Sequence, residues 1–278
     1  LHTTTGMGGA GVAHIVTVGT SVIRNVSTLA PRFNVPMEVV ERFRRWSQAP
    51  PRSFEDAEAG QRASPGCEEL EHALEILASN PYAVSAELNA MRKYLEARMV
   101  DAAVLLASDT GTSEFSARVL SEYLSSEGVE VEVHRVRDLG LDFHRGLLNL
   151  IDAVAAAVSK YRSRGYRVWI NLTGGFKLET AVLYLAACLS RMGVEKAYYI
   201  HETMKETVEV PAIPVRLEDA FLGAVRALGA EEIPLSEAQS KVGGMLDELL
   251  RRGIAERVGT SVRVRKWVLH LAGGLGAF

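Results

Sequence analysis

The stretch VWINLTGGFKLETAVLYLAACL, residues 168–189, decides the fold class. It opens with a short run of β-branched and aromatic residues, breaks at two glycines, and continues with helical spacing from 178 to 192, so it reads as a strand, a turn and a helix. Within the turn Thr173-Gly174-Gly175-Phe176-Lys177, the glycines free the backbone to wrap an anion. Lys177 falls in the first helical turn, where the helix dipole favours acids over bases by about 0.3–1 kcal/mol. A bound anion would resolve that conflict. The turn is not a Walker A loop: GxxxxGK[ST] is absent, and Leu178 stands where the magnesium-binding hydroxyl would be. A phosphate of a mononucleotide, in some other Rossmann-like module, would suit the same residues.

Working outward, similar short apolar runs occur at 14–19 (HIVTVG), 102–107 (AAVLLA), 131–136 (VEVHRV) and 197–201 (AYYIH). Helical spacing recurs at 69–77, 83–99, 113–127, 147–162 and 178–192. This alternation predicts an α/β domain with a Rossmann-like, doubly wound, mainly parallel sheet. ETVEV and PAIPV (206–215) can close the sheet as a hairpin or as edge strands. Residues 31–66, rich in proline, glycine and charge, read as a long surface loop. The first thirteen residues carry no secretory signal and read as disordered; their GxGxxG match (6–11) precedes the first strand and is taken as chance.

Beyond residue 215 the pattern changes to a helix at 219–228, a second at 242–252, and then IAERV-GTS-VRVRKW. That order predicts a small C-terminal winged helix-turn-helix. The expected domains are therefore 13–215 and 216–278.

In an open α/β sheet, ligands bind beyond the carboxyl ends of the strands. The first strand ends in Gly19-Thr20-Ser21, with Arg24 and Asn25 close behind: a glycine for close approach, hydroxyls and an amide for a phosphate or ribose, and one charge. Thr20 or Ser21 can equally be a helix cap. The second strand ends in Ser108-Asp109-Thr110-Gly111-Thr112-Ser113-Glu114. Ser108, Thr110, Gly111 and Thr112 are candidates to cradle a nucleotide, although Asp109 would repel a phosphate and the same run reads as a capping loop.

Composition limits the alternatives. Formal net charge is −3, so a polyanion must be held by local charge and not by a global field. Cys67 and Cys188 have neither metal-site nor disulfide spacing, and no apolar run reaches the roughly 18 residues of a membrane span. The seven histidines show no ligand pairing, and His14, His134 and His201 read as packing residues in strands. A cytoplasmic protein without metal or cofactor is expected.

With GTS after strand one, SDTGTSEFSA after strand two, NLTGGFKLET, and YYIHE followed by VEVPAIP, the sequence resembles the CRISPR-associated Rossmann-fold (CARF) family. It is closest to the archaeal ring-nuclease branch. The resemblance covers 13–215, and the TGGFK stretch is its most specific element. It implies a homodimer that binds cyclic tetra-adenylate across its twofold axis and cleaves it without metal, by attack of a ribose 2′-hydroxyl on its own 3′-phosphodiester. The products would be linear with a 2′,3′-cyclic phosphate, which would switch off type III CRISPR antiviral signalling. On this reading Lys177 and Ser21 are catalytic, and Gly19, Thr20, Thr173, Gly174, Gly175 and Phe176 hold the ligand. The other class the resemblance allows is a ligand-sensing transcription regulator without catalysis. Its DNA contacts would come from Lys241, Arg251, Arg252, Arg257, Arg263, Arg265 and Lys266. The RxxxxH motif of fused ribonucleases is matched by Arg265 and His270, taken as a chance match because Arg265 is expected in the wing strand.

Overall fold

A computed structural model describes residues 10–200 and 206–273; His201 and the glycines at positions 6, 8 and 9 lie outside the described residues. The chain begins its fold with β1 (Val12–Val18), followed by α1 (Ser21–Leu29), α2 (Met37–Trp46), α3 (Phe54–Gln61), α4 (Glu68–Ser79), α5 (Pro81–Val84) and α6 (Ala86–Glu96). Next come β2 (Ala102–Ala107), α7 (Gly111–Ser126), β3 (Glu130–Arg135), α8 (Phe143–Ser163), β4 (Arg167–Asn171), α9 (Lys177–Cys188), β5 (Lys196–Tyr199) and β6 (Val208–Val210). The C-terminal part holds α10 (Asp219–Leu228), β7 (Ile233–Pro234), α11 (Leu235–Val242), α12 (Met245–Arg251), β8 (Ala255–Val258), β9 (Ser261–Val264) and α13 (Lys266–Ala272).

The first six strands form one sheet in the order β3-β2-β1-β4-β5-β6. All neighbours pair in parallel except β6, which runs antiparallel on the edge. This is the expected Rossmann-like α/β sheet, and the stretch 206–215 supplies one edge strand where a hairpin was the alternative. Every residue of β1 is buried, as a strand covered on both faces must be. Val12 and Ala13 belong to it, which corrects the expected disorder up to residue 13. One face carries α1 to α7; α8 and α9 cover the other.

The expected loop at 31–66 is a pair of helices. Val39, Phe43 and Trp46 recur at helical spacing on α2 and are buried, and the Phe43 and Trp46 rings pack on Phe115 of α7 at 6.2 and 5.2 Å between centroids. Proline and charge concentrated between and on the outer faces of these helices hid that periodicity. The helix expected over 83–99 breaks at Ser85, whose side chain accepts the Leu88 N–H and so starts α6 afresh.

The order α10, β7, α11, α12 and the β8–β9 hairpin, with strands arranged β7-β9-β8, is that of a winged helix-turn-helix. It is not a separate bead. Val225, Leu249, Trp267 and Val268 lie in the same buried cluster as Leu150, Val154 and Val158 of α8. Arg265 stands just past the wing strand, not in it, at the residue before α13. Its guanidinium is 5% exposed and bonds Asp152 and Asn149 of α8 and Glu256 of β8. With all three nitrogens engaged, it is a structural pin between the two units.

Candidate functional site

The strand order fixes where a site can form. From β1 the chain steps outward to β2 and β3, then returns to lay β4 on the other side of β1. Between β1 and β4 the connections leave in opposite directions, which opens a crevice at their carboxyl ends. The turns that follow these two strands are Gly19-Thr20 and 172–176, so the topology brings the two main candidate stretches together. They touch: a β-carbon placed on Gly19 would lie 3.4 Å from the Gly175 backbone nitrogen.

Both helices that start here lack a side-chain cap. Thr20 stands at the N-cap of α1 and Phe176 at that of α9, and neither side chain accepts a helix N–H. The capping role open to Thr20 and Ser21 is thereby excluded. Thr20 Oγ1 accepts from Arg24 Nη2 at 3.2 Å, and Ser21 Oγ donates to Glu87 Oε2 at 2.7 Å. Two helix N-termini with free N–H groups pointing into one crevice form an anion-favouring field. Lys177 is exposed at the head of α9 and has no ion pair among the described residues.

The glycines of the second turn serve different ends. Gly174 is buried and its carbonyl accepts from Thr17 Oγ1 at 2.9 Å; a β-carbon there would overlap the Thr17 carbonyl oxygen. It lets the two turns close. Gly175 has φ +83°, a left-handed conformation that glycine adopts without strain, and it is exposed. Thr173 ties the turn to β5: its hydroxyl accepts the Ile200 N–H at 3.1 Å. Phe176 is exposed and meets Phe143 edge-on with centroids 6.4 Å apart.

Three buried polar side chains not foreseen from the sequence underlie this surface. Glu87, at the start of α6, takes hydrogen bonds from Gly19 N, Ser21 Oγ and Ser85 Oγ at 3.2, 2.7 and 2.8 Å. Glu179 of α9 lies directly behind Gly175, 2% exposed, with no hydrogen bond to either carboxyl oxygen. Burial pushes its carboxyl up to about 7, and the Phe176 N–H offsets part of that shift without closing a hydrogen bond. Asn171 holds the pieces from below, donating to the Glu87 carbonyl at 3.1 Å and accepting the Thr173 N–H at 3.0 Å.

The loop after β2 packs against the end of β1, where Ser113 Oγ donates to the Val18 carbonyl at 2.8 Å. Thr110 caps α7 by accepting the Ser113 N–H, and Asp56 of α3 fills the remaining space, taking both the N–H and the hydroxyl of Thr112 at 2.9 and 3.0 Å. Gly111 is packed so closely on α3 that a β-carbon would overlap the Asp56 carbonyl. Ser108 is buried beside Gly140. Asp109 is paired with Arg135 at 2.8 Å. Of the expected cradle, Thr110 is thus engaged as the cap of α7 and Thr112 on Asp56, while Ser108 and Gly111 are buried in packing. Asn25 is likewise engaged, donating to the Val84 carbonyl at 2.9 Å, which holds α5 against α1.

His14 is a packing residue, as expected. Its ring nitrogens lie 2.7 Å from Tyr198 Oη and 2.9 Å from the Met99 carbonyl, and burial lowers it to about 4.

Residues 82–213 match a protein family described as CRISPR-associated protein (Cas_APE2256). The match supports a CRISPR-associated protein. It takes in just under half of the chain, from α5 past β6, and so includes the TGGFK turn while leaving the Gly19-Thr20-Ser21 turn and the C-terminal unit outside. Among the described residues no helix is long and apolar enough to cross a membrane.

The cations expected to face DNA are mostly spoken for. Lys241 pairs with Glu237 at 2.9 Å, Arg251 and Arg252 both pair with Glu248, and Arg263 pairs with Glu256 at 2.6 Å. Of that set, only Arg257 and Lys266 have no ion pair among the described residues.

Proposed function

We propose that the chain is a metal-independent ring nuclease that binds and opens cyclic tetra-adenylate at the crevice between β1 and β4. The observation that carries this reading is the meeting of two uncapped helix N-termini, Gly175 and the unpaired Lys177 at the switch point of the sheet. The match to a CRISPR-associated family over the strand and turn that hold Lys177 agrees with it.

The chemistry needs no external nucleophile. The 2′-oxygen of one ribose attacks the phosphorus on its own 3′-oxygen, the bond from phosphorus to the 5′-oxygen of the next nucleotide breaks, and that oxygen leaves with a proton as a 5′-hydroxyl. A 2′,3′-cyclic phosphate remains and the ring is open. Catalysis then rests on holding the attacking and leaving oxygens in line and on stabilising charge on the phosphoryl oxygens. Lys177 and the free N–H groups of α9 supply that charge. Ser21 gives its only proton to Glu87, so toward a ligand its oxygen acts as an acceptor, suited to a ribose 2′-hydroxyl. Phe176, with Phe143, offers an exposed aromatic edge on which an adenine can pack.

A fourfold ring suits two copies of this site about a twofold axis. Leu178 and Leu185, seven residues apart on α9, are exposed as well, which supports a homodimer joined along that helix.

The test is incubation with cyclic tetra-adenylate in EDTA with separation of the products, wild type beside Lys177→Ala. Loss of roughly 10²–10³-fold in turnover, with binding much less affected, is expected for a donor that acts in the transition state. Equal losses in binding and turnover would contradict the role given to Lys177. Tight binding without cleavage by the wild type would make the protein a sensor.

A further inference from the structure

Two carboxyl groups lie under the turn that follows β4, and their surroundings treat them differently. Glu87 of α6, whose Oε1 is 3.0 Å from where a β-carbon on Gly174 would stand, takes hydrogen bonds from Gly19 N, Ser21 Oγ and Ser85 Oγ. Glu179 is buried in the first turn of α9, directly behind Gly175, and neither of its oxygens has a hydrogen-bond partner. The Thr17 hydroxyl beside it at Gly175 has given its proton to the Gly174 carbonyl, so it has none to offer a carboxylate. Without a donor, a buried carboxyl is held neutral.

Few charges face this group. From β1 comes Thr17, from the turn only backbone, and from α6 Glu87 on the far side of Gly174. Lys177 of α9, Arg24 of α1, and His144 and Arg145 at the head of α8 are all exposed to solvent. Burial sets the Glu179 carboxyl at about 7, offset in part by the Phe176 N–H alone, so no charge among the described residues governs it.

Glu179 therefore occupies the same helix end that α9 offers to an anion. A carboxylate there would draw on the same positive end of the helix dipole, and would repel a phosphate lying on the outer side of Gly175. A neutral carboxyl does neither.

We propose that Glu179 controls the crevice through its proton: with the carboxyl protonated the β4 turn holds an anion, and with the carboxyl ionised that hold is weakened. The inference rests on the reading that cyclic tetra-adenylate binds at this turn. It makes retention of the ring strongest on the acid side of neutrality, and it makes binding take up a proton near neutral pH.

The affinity of the full chain for labelled cyclic tetra-adenylate, followed by stopped-flow fluorescence before cleavage at pH 5.5 to 8.5, tests this in the wild type, Glu179→Gln and Glu179→Met. The wild type should lose roughly tenfold in affinity across the range, while both variants stay within about twofold of the wild-type acid value. Glu179→Met carries no polar atom into the core and keeps the test open if the glutamine amide unfolds the protein. The inference is overturned if wild-type affinity does not change with pH, or if the folded variants follow the wild-type curve. If the cyclic ligand binds at no pH, the functional reading fails by itself, and Glu179 is judged with sodium sulfate, whose charge is constant over this range. Sulfate, against chloride at equal ionic strength, should raise the wild-type melting temperature more at pH 5.5 than at pH 8.5, a difference the variants lose. Equal stabilisation at both pH values, or the same difference in the variants, overturns it.

Discussion

The Ser21 hydroxyl donates to the Glu87 carboxyl at 2.7 Å, joining the turn after β1 to the start of α6 across 66 residues of sequence. Because Glu87 is buried and takes two further hydrogen bonds, it fixes both the position of the turn and the direction of the Ser21 proton. Glu87→Ala strands three donors and should lower stability by about 2–4 kcal/mol in urea denaturation. Ser21→Ala removes one half-buried hydroxyl, should change stability by about 1 kcal/mol or less, and should slow cyclic tetra-adenylate cleavage by roughly tenfold or more in single-turnover assays. A Ser21→Ala enzyme with unaltered turnover would remove Ser21 from the reaction.

Glu179 gives the protein an unusual pH response. Its carboxyl, at about 7 in the fold against 4.5 when exposed, stays protonated where the unfolded chain has ionised. Its contribution to stability is full below about pH 4.5 and is lost as pH rises through 7. His14 works the other way: held at about 4 against 6.5, it is neutral in the fold, and its contribution is full above pH 6.5 and lost as pH falls through 4. The two slopes oppose each other between pH 4.5 and 6.5. Glu179→Gln should therefore be more stable than the wild type by roughly 2–3 kcal/mol at pH 8, and should show a fall in stability toward acid that the wild type masks. Melting curves at pH 5, 6.5 and 8 check both statements.

The two glycines of the β4 turn should respond differently to alanine. Gly174→Ala drives a methyl group into the Thr17 carbonyl, a backbone atom of the central strand, and should cost about 3 kcal/mol or more or prevent folding. Gly175→Ala meets a side chain, the buried Glu179 carboxyl, instead of backbone, and must hold φ +83°, so it should cost less, roughly 1–3 kcal/mol, and still fold. Expression yield and melting temperature rank the pair.

Asp56 separates a structural loop from a binding one. Asp56→Ala removes the acceptor for the Thr112 N–H and hydroxyl and should lower stability by about 1–3 kcal/mol while leaving turnover of the folded fraction within a few-fold. A large loss of ligand affinity in folded protein would restore the loop after β2 to the site.

Much of this was legible in the sequence, for definite reasons. The alternation of short β-branched runs with helical spacing located the five parallel strands, and the Rossmann-like rule then placed Gly19-Thr20-Ser21 and Thr173 to Lys177 at strand ends. What escaped were partnerships. Nothing marks Glu87 on a helical stretch as the acceptor beneath a turn 66 residues earlier. A polar run such as Thr110 to Ser113 looks the same whether a ligand or Asp56 fills it. The helices α2 and α3 were missed because Val39, Phe43 and Trp46 are few apolar markers among many charges.

The central position of β1 has a consequence for how the chain acquires its fold. The strand is made well before both of its neighbours, since six helices separate it from β2, and β4 follows only after α8. Until then the nearly uninterrupted apolar run VAHIVTV has no ladder partner, and long-range parallel pairing is slow because the intervening loop must close first. The segment from α1 to α6 is thus the first available cover for it, and variants that loosen Phe43 or Trp46 should betray themselves as aggregation during synthesis before any loss appears in the finished protein.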